Sequence, residues 1–400
     1  MNKNIIEIDP KKFPWLDLNR YTFTLGVEKN GILYISGNTA SAYDKEKGRI
    51  ICKGDIVEQT KLAFEKMGVV LEAAGMSFAN VVRTVEHIDP TALHQYPQVS
   101  EIRSKYLGPL PASDSAFCVQ RLLRPDALIE ISAVAMRDQK HSVYPDFGDH
   151  QRFESIPAVQ AGDTLWLSGL IGHEYIEGKA TYPRDSARQM ELAYQNVGDI
   201  LKFVGGKPSD VISSVDFISP RAFNEYKNTV KVRESFFDGE YPASTGIVMN
   251  RLLHPEAYVD LDVVAVLGEG RQEIRIPEWD KRFEGLTYRP GVKKGRFLHI
   301  AGMVGVDHVS GQTVGKGDVL AQADKAYENI AKVLAAGGYS MDDIVNTVEW
   351  VAPNGITGYR QIANVRRKYF GEKFPTATGV QVFDLLRPEW LIEVTAVAIV

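Results

Sequence analysis

Cysteine is scarce in this chain, which has only Cys52 and Cys118 among its 400 residues. Two cysteines in unrelated contexts are too few for a disulfide framework, and this usage is typical of a reducing compartment. The first residues also lack the apolar stretch of a signal peptide. We therefore expect a cytoplasmic protein, and we interpret Cys118 as a buried thiol because no histidine is placed in the sequence to activate it.

Long hydrophobic runs and clustered basic residues are also absent. No run approaches the roughly 18 apolar residues that a membrane-spanning helix needs, so we predict no membrane partner. The 46 Lys and Arg residues against 51 Asp and Glu residues give a formal net charge of −5. Because phosphate contacts need clustered Lys and Arg, this balance disfavours nucleic acid as the main partner.

The usual metal and cofactor motifs are missing as well. The eight histidines show neither His-x3-His nor His-Glu-x-x-His spacing. No glycine-rich loop is placed to cradle a phosphate, and there is no Gly-x-Ser-x-Gly elbow. We therefore predict that the protein uses no metal and no cofactor.

The chain instead contains one sequence pattern that occurs three times. In each copy a short apolar run ends in a small-residue turn such as Ser36-Gly37, an aspartate precedes a glutamine by four residues, and Leu-Leu, Arg or His, Pro comes later. The equivalent prolines Pro90, Pro220 and Pro353 lie 220 − 90 = 130 and 353 − 220 = 133 residues apart. A repeat this long is a domain and not a solenoid unit of roughly 20 to 50 residues. The predicted domains are residues 15–137, 153–268 and 286–400.

Each copy is predicted to contain its elements in the order β-β-α-β-α-β. Apolar runs predict the strands, and apolar residues at three-to-four spacing predict a long amphipathic helix. Asp55 is placed to cap that helix in the first copy, and Gly75 is placed to end it. In the first copy the predicted strands include 32–36, 81–88 and 127–136, and the predicted helices are 55–74 and 96–107.

The sheet of each copy needs cover on the face that its helices leave open. Three such sheets would cover one another around a central axis, which predicts a barrel-like core and three clefts between neighbouring copies. The fold class is thus α+β: three tandem domains, each a mixed sheet with two helices on one face, arranged as an intramolecular pseudo-trimer. The joints at 137–152 and 268–285 carry Phe147 and Trp279, and Trp15 precedes the first copy. We expect these aromatic residues to hold the joints against the domains.

At this level of detail the copies resemble the YjgF/RidA family, which has a chorismate-mutase-like fold. The third copy matches best, through residues 298–307, Gly317-Asp318 with Gln322, Tyr369-Phe370-Gly371 and residues 391–394. Members of that family are usually single domains that assemble as homotrimers with a ligand cleft at each junction. The resemblance implies that this chain is such a trimer fused into one polypeptide, and that it occurs as a monomer or a homodimer.

The family's best-known activity is the hydrolysis of reactive enamines and imines from amino-acid metabolism. In those members an arginine after a Phe-Pro-Ala run grips the substrate carboxylate. This chain departs from that pattern: the corresponding position holds Asp114 (or Ser113), Ser244 and Ala377 in the three copies. Neither an acid nor a small residue can supply the bidentate carboxylate clamp that the arginine forms.

Each copy carries two acids in predicted strands. The resemblance implies that the acid of the last strand is linked to the catalytic water. A second acid in an apolar strand is costly unless it meets water, a partner or a ligand, and two neighbouring carboxyl groups would split their pKa values and divide acid and base roles. The alternative is a strand face that is solvated or ion-paired. The candidate catalytic pairs are Glu86 with Glu130, Asp216 with Asp260, and Glu349 with Glu393.

A tyrosine precedes an arginine by seven residues in the second predicted helix of each copy. Seven residues span about two helical turns, so the two side chains share a face. The arginine would replace the missing clamp or pair with the strand acids, and the alternative is a surface arginine with a tyrosine lying over the core. These candidate binding residues are Tyr96 and Arg103, Tyr226 and Arg233, and Tyr359 and Arg366.

Further candidates lie in predicted loops. Arg124 and Arg387 follow Leu-Leu, with His254 at the equivalent place, and would bind an anion or a neighbouring domain. His173 occurs only in the second copy and would act as a general base, although an exposed loop histidine is the commoner case. Backbone N–H groups after Ser36, Ser168 or Ala301 would stabilise developing negative charge.

Together these features predict a cofactor-free hydrolase or deaminase that acts on a C–N bond of a small polar or anionic metabolite, bound between repeats. Since fused copies are free to diverge, we expect one or two competent clefts. One alternative is a chorismate-type lyase or hydrolase on the same three-lobed fold. The other is a metabolite-binding protein that lost the chemistry.

Overall fold

The computed structural model describes residues 3–13, 21–145, 156–177 and 179–400. The long helix of the first repeat begins at a capping box, in which Asp55 and Glu58 each accept a hydrogen bond from the other's backbone N–H. Gly75 follows the helix with a φ of 64°, a conformation that ends helices. The elements are β1 (Asn4–Ile5), β2 (Gly26–Lys29), β3 (Ile32–Asn38), β4 (Ser41–Asp44), β5 (Arg49–Cys52), α1 (Ile56–Ala73), β6 (Val81–Ile88), α2 (Val99–Leu107), β7 (Ser113–Cys118), β8 (Arg121–Leu122) and β9 (Ile129–Met136).

The second helix of the first repeat is shorter than the sequence predicts. It was expected from residue 96, but residues 90–98 form 3-10 turns and α2 begins at Val99. Pro97 lies within those turns and has no N–H to donate. The second repeat has the same kind of 3-10 stretch at Phe223–Thr229 without a proline inside it, so the late start of the helix does not depend on Pro97.

The second repeat follows the same order. Asp185 caps its long helix by accepting a hydrogen bond from the backbone N–H of Arg188 at 2.8 Å. Its elements are β10 (Lys140–Val143), β11 (Ala158–Ala161), β12 (Thr164–Leu167), β13 (Leu170–Ile171), β14 (Glu174–Ile176), β15 (Lys179–Thr181), α3 (Ser186–Phe203), β16 (Val211–Ile218), α4 (Val230–Phe237), β17 (Ala243–Val248) and β18 (Val259–Val266).

The long helix of the third repeat is capped in the same way. Asp318 accepts hydrogen bonds from the backbone N–H groups of Leu320 and Ala321. Its elements are β19 (Gln272–Ile274), α5 (Asp280–Phe283), β20 (Gly291–Lys294), β21 (Phe297–Val304), α6 (Val319–Ala336), β22 (Ile344–Val351), α7 (Ile356–Tyr359), α8 (Ile362–Phe370), β23 (Thr376–Gln381), β24 (Asp384–Leu385) and β25 (Ile392–Ile399).

Each repeat forms one mixed sheet. The strand orders are β1-β2-β3-β9-β6-β7, β10-β11-β12-β18-β16-β17-β24 and β19-β20-β21-β25-β22-β23-β8. In each sheet the long central strands pair antiparallel, whereas β6–β7, β16–β17 and β22–β23 are parallel because a helix connects them. The long helix α1 packs on β3 and β9 and also contacts α2. The predicted α+β class with three similar domains is therefore confirmed.

The repeats exchange strands at their sheet edges. The two-residue strand β8 of the first repeat pairs with β23 of the third, and β24 of the third pairs with β17 of the second. Arg251 of the second repeat makes the corresponding bridge to Cys118 of the first. Each repeat thus contributes the Leu-Leu segment that covers an edge of a neighbour, in the cyclic order first, third, second.

The interior between the sheets holds aromatic side chains and a cavity of about 120 Å³, but it is not a barrel. Phe117, Phe217 and Trp350, one from each repeat, meet there. The ring centroids of Phe117 and Phe217 are 3.5 Å apart, and those of Phe217 and Trp350 are 5.7 Å apart. The three sheets remain separate, and the described strands do not close into a barrel. The predicted barrel-like core is wrong in this respect, because the edges are covered by short exchanged strands instead of by continuous pairing.

The joints between the repeats pack on the domains. Strand β10 extends the second sheet and β19 extends the third. Trp279 is buried, with 2% exposure, whereas Trp15 and Phe147 lie outside the described residues. No described helix is long and apolar enough to span a membrane.

Candidate functional site

The two acids of each repeat point to opposite faces of their sheet. In the antiparallel pair β6–β9, Glu86 lies opposite Ile131, whereas Glu130 lies opposite His87. Directly opposed residues share a face and neighbouring residues alternate, so Glu86 and Glu130 cannot meet. The other two repeats show the same register. The predicted acid pairing within a repeat is therefore wrong.

The last-strand acids instead lie in three clefts, each formed between two repeats. Each cleft combines the last-strand acid of one repeat with the tyrosine and arginine of another. Cleft A is the largest, with about 400 Å³, against about 270 Å³ for cleft B and about 180 Å³ for cleft C. Cleft A contains Glu130 with Tyr359 and Arg366, cleft B contains Asp260 with Tyr96 and Arg103, and cleft C contains Glu393 with Tyr226 and Arg233.

Each predicted arginine is bound to the first acid of its own repeat. Tyr96 donates a hydrogen bond to Glu86 at 2.7 Å, and Arg103 donates to both Glu86 and Tyr96, at 3.2 and 2.8 Å. Burial raises the pKa of Glu86, and Arg103 and Tyr96 offset only part of that rise. The ion-paired alternative for the first acids therefore holds in the first repeat.

The second and third repeats contain the same cluster. Arg233 and Tyr226 both donate to Asp216, at 3.0 and 2.7 Å. Glu349 accepts hydrogen bonds from Arg366 on both oxygens and also from two tyrosines. Burial would raise the pKa of Glu349, but Arg366 and these hydrogen bonds outweigh burial and leave the pKa below its usual value. The three arginines are thus already engaged, and none is a free carboxylate clamp.

The last-strand acids occupy space that the small-residue turns leave open. A Cβ atom added to Gly37 would lie 2.0 Å from Oε1 of Glu130, and one added to Gly302 would lie 1.9 Å from Oε1 of Glu393. Gly169 stands in the same relation to Asp260, at 2.9 Å. A side chain in any of these turns would displace the carboxyl group that packs against it.

Burial makes these three acids weak. Burial raises the pKa of Glu130 to about 7, with Arg124 acting in the opposite direction. The pKa of Asp260 rises to about 8 through burial and the nearby Asp262 and Asp114, and that of Glu393 rises to about 8 through burial. No described side chain donates a hydrogen bond to Glu130. A carboxyl group with a pKa of about 7, such as Glu130, is present in both protonation states near neutral pH, as suits an acid–base catalyst.

The backbone N–H groups after the small residues are not available to a substrate. The N–H of Gly37 donates to Thr378 at 3.2 Å, and that of Gly302 donates to Thr245 at 2.8 Å. The N–H of Gly169 donates to the carbonyl of Asp114 at 2.9 Å. The predicted oxyanion site is therefore wrong, because these donors join neighbouring repeats.

Ser36 and Ser168 serve the same junctions. Ser36 is fully buried, donates to the carbonyl of Thr24 and accepts from the N–H of Ala377 at 2.9 Å. Ser168 likewise accepts from the N–H of Asp114 at 3.1 Å. Both hydroxyl groups hold one repeat against the next, which replaces the predicted role in substrate binding.

Cleft A contains a lysine that the sequence analysis missed. Lys66 of α1 donates hydrogen bonds to the carbonyls of Thr39 and Ser41 and to the Ser41 hydroxyl. These three oxygens are uncharged hydrogen-bond acceptors. Burial lowers the pKa of Lys66 to about 8. One signal was available: the equivalent positions, eleven residues after the capping aspartate, hold Asn196 and Asn329.

The two loop arginines lie in different surroundings. Arg124 lines cleft A, is half-buried and makes no ion pair with any residue that the structure describes. Arg387 is exposed and lies over the Trp390 ring at 5.6 Å, outside the lining of the three clefts. Of the two predicted anion-binding arginines, the structure therefore places only Arg124 in a cleft.

Cleft B contains both loop histidines of the second repeat. His254 stacks on Tyr182 with ring centroids 3.9 Å apart, and His173 lies 5.1 Å from Tyr175 and 5.5 Å from Tyr182. His173 is thus part of an aromatic wall. Asp114, on the opposite wall, binds Arg103 at 2.7 Å.

A model of the family described as Endoribonuclease L-PSP matches this chain three times, at residues 17–137, 151–267 and 284–400. A RutC family protein of Pyrococcus horikoshii is 34% identical over 111 residues, 28% of this chain and 85% of that relative. The human 2-iminobutanoate/2-iminopropanoate deaminase is 32% identical over 112 residues, 28% of this chain and 79% of that relative. A chorismatase crystal structure superposes with a TM-score of 0.52 over 80% of this chain and 93% of that one; at 16% identity, the likeness shows the fold alone.

Proposed function

The chain belongs to the Endoribonuclease L-PSP family, of which it carries three copies, and on that premise we propose that cleft A binds a small anionic metabolite and hydrolyses its C–N double bond. The observation that carries the proposal is the meeting in one cavity of Glu130, which lacks a hydrogen-bond donor among the described residues, with Lys66 and Arg124. Cleft A is also the largest of the three clefts, at about 400 Å³.

Among the residues that the structure describes, the charges that line cleft A favour an anion. Arg366 and Glu349 neutralise each other on one wall. On the other wall Lys66 and Arg124 bring two positive charges, and Glu130 is only partly ionised at neutral pH because its pKa is about 7. A partly enclosed cavity strengthens such attractions relative to water. Lys66 and Arg124 would thus take the part of the arginine that the chain lacks.

The chemistry needs only one group that moves a proton. In the hydrolysis of an imine, ionised Glu130 takes a proton from water as the water oxygen bonds to the imine carbon. Protonated Glu130 then returns that proton to the nitrogen, which gives a carbinolamine. Glu130 next takes the proton of the new hydroxyl group and passes it to the amino nitrogen, so that the C–N bond breaks, ammonia leaves and the oxygen becomes the carbonyl of the product. A pKa near the working pH suits each of these transfers. The activity named for the human relative supports 2-imino acids as the substrate class.

The other two clefts fit this reaction less well. In cleft C, Tyr288 and Leu286 of the segment that enters the third repeat fill part of the space and leave about 180 Å³. In cleft B, Arg103 faces both Glu86 and Asp114, so an anion would meet uncompensated negative charge. We therefore assign the activity to cleft A alone.

A binding protein without turnover is the second candidate. It is favoured by one observation: the arginine position of the active relatives holds Asp114, Ser244 and Ala377 in this chain. In that case cleft A would bind 2-oxo acids or related anions and release them unchanged.

The deciding experiment follows ammonia release from 2-iminopropanoate, generated in the cuvette from alanine by an amino-acid oxidase. Wild-type protein should accelerate the release, and Glu130→Gln should lower the rate at least about 100-fold, which is within the usual contribution of a general base. Glu72→Gln, which removes an exposed charge on α1, is the matched control. Calorimetry with 2-oxobutanoate then separates the candidates, because binding without any turnover would contradict hydrolysis and support the binding protein.

A further inference from the structure

Cleft B differs from the other two clefts in the residue that faces its last-strand acid. Asp114 stands where the other repeats have Ser244 and Ala377. Its backbone N–H and carbonyl are bonded to Ser168 and Gly169, and a Cβ atom at Gly169 would lie 2.9 Å from Oδ1 of Asp260. Two carboxyl groups from different repeats therefore flank a single turn.

Among the described residues in and around cleft B, acids outnumber cations. Arg103 binds both Glu86 and Asp114, at 3.0 and 2.7 Å, so one guanidinium group is shared by two carboxylates. Asp260 adds a third carboxyl group, 7% exposed, and its Oδ1 is buried and accepts no hydrogen bond from the described residues. A buried oxygen that lacks a donor is costly to a protein unless a ligand or water supplies one.

The opposite wall of cleft B is aromatic. Tyr182 and His254 stack at 3.9 Å with an interplanar angle of 18°, and Tyr175 lies beyond His173. Three residues before the capping aspartate, where this repeat has Tyr182, the others have Cys52 and Gly315. Aromatic faces attract organic cations and pack against flat apolar groups.

We propose that cleft B, with about 270 Å³ of space, binds a small organic ammonium ion that has an aromatic or apolar body. The ammonium group would donate hydrogen bonds to Asp260 and Asp114, and the body would lie against Tyr182, Tyr175 and His254. The site is separate from the proposed catalytic cleft and would hold its ligand whether or not cleft A is an enzyme.

The protonation of Asp260 should also be coupled to ligand binding. Burial, with Asp262 and Asp114 nearby, raises the pKa of Asp260 to about 8, so at pH 7 the empty cleft holds mostly the protonated acid. A bound ammonium ion favours the carboxylate, so binding at pH 7 should release a proton and affinity should rise from pH 6 to about 8.5. Among the described residues, the other charged or titratable groups that face Asp260 or line the cleft are Asp262, which is paired with Arg83, and Asp114, Arg103, Tyr96, Tyr175, Tyr182, His173 and His254. Glu86 is fully buried and is ion-paired with Arg103.

Calorimetry on the full chain tests the proposal with three probes of similar shape: phenethylammonium, 2-phenylethanol and 3-phenylpropanoate. The Lys66→Met chain is used as well, so that the carboxylate probe has no strong site in cleft A. We expect phenethylammonium to bind at least tenfold more tightly than either other probe. Asp114→Ser, which copies the second repeat, and Asp260→Asn should each weaken it at least tenfold, whereas Glu72→Gln should not change it.

Several outcomes would overturn the proposal. Equal binding of the three probes, or preference for the carboxylate, would show that the acids do not select a cation. Unchanged phenethylammonium affinity in Asp114→Ser or in Asp260→Asn would place any binding elsewhere. Loss of affinity in Asp260→Asn with an unchanged pH dependence would contradict the proton linkage. Thermal unfolding confirms that each variant is folded, and Asp114→Asn replaces Asp114→Ser if that variant is not. Imine hydrolysis is measured on the same variants, so failure here is distinguishable from failure of the catalytic proposal.

Discussion

Clefts A and B are built from the same parts, but the charged residues that the structure describes in their linings differ. Each has a buried last-strand acid, a glycine turn beside that acid, and an arginine that is tied to an acid of its own repeat. Cleft A adds Lys66 and Arg124, whereas cleft B adds Asp114. The shared parts hold the repeats together, and only a few side chains around them set the charge that a ligand meets.

Fusion of the copies explains how this difference is possible. Each cleft takes its two walls from different repeats, so a substitution in one repeat changes one wall of one cleft. In a homotrimer the same substitution would change all three clefts at once. An aspartate at position 114 therefore makes cleft B acidic without affecting cleft A.

The largest expected effect is on the free energy of unfolding, and it concerns the buried arginine–acid cluster that the clefts share. Arg366→Met would leave Glu349 buried without its cation and should lower the free energy of unfolding by about 3–5 kcal/mol. Asp114→Ser should cost less than about 1 kcal/mol, because Arg103 keeps Glu86. Chemical denaturation measures both, with the exposed Arg387→Met as the control. A cost for Arg366→Met no greater than that of the control would show that the cluster is not structural.

The second effect separates the two last-strand acids in catalysis. Glu130→Gln should lower imine hydrolysis at least about 100-fold, or about 2.7 kcal/mol, because the base of cleft A is lost. Asp260→Asn should leave the rate within about twofold. Steady-state ammonia release measures both variants. If Asp260→Asn has the larger effect, the assignment of the two clefts is reversed.

The third prediction gives cleft A the acid that distinguishes cleft B. Ala377→Asp places an acid where the first repeat has Asp114, opposite Lys66 and Arg124. We expect the affinity of cleft A for 2-oxobutanoate to fall about tenfold, or about 1.4 kcal/mol. Ala377→Asn is the neutral control, and calorimetry is the measurement. Equal losses in the two variants would indicate a steric cause and not a change of charge.

The smallest effect is the pH dependence of hydrolysis. Activity should rise through about pH 7 as Glu130 ionises and fall above about pH 8 as Lys66 loses its proton. Lys66→Asn, which copies the other repeats, should lower activity and remove the fall at high pH. A flat profile between pH 6 and 9 in wild-type protein would contradict both roles.

The fold was predictable because its signals are local and occur three times. The capping aspartates, the strand β6 at Val81–Ile88 and the order of elements follow from short-range patterns. The pairing of acids was missed because it depends on register: Glu86 and Glu130 lie on strands that pair with an offset of one residue between the acids. That offset sends the two carboxyl groups to opposite faces.

The set of side chains around each last-strand acid could not be predicted from any one repeat. The neighbours of Glu130 come from α1 of its own repeat and from the third repeat, more than 200 residues away in sequence. Lys66 is one polar residue in an amphipathic helix, and only its comparison with Asn196 and Asn329 distinguishes it. The buried ion pairs of Arg103, Arg233 and Arg366 were one of three interpretations that the sequence left open, beside a substrate clamp and a surface arginine.

The most direct test of two clefts with opposite charge is a cross-titration of one protein with two probes. 2-Oxobutanoate and phenethylammonium are titrated separately and together into wild-type protein, Lys66→Met and Asp114→Ser. The account predicts that the two probes bind together without competition, that Lys66→Met weakens only the anion, and that Asp114→Ser weakens only the amine. Mutual competition, or loss of both affinities in either variant, would contradict it.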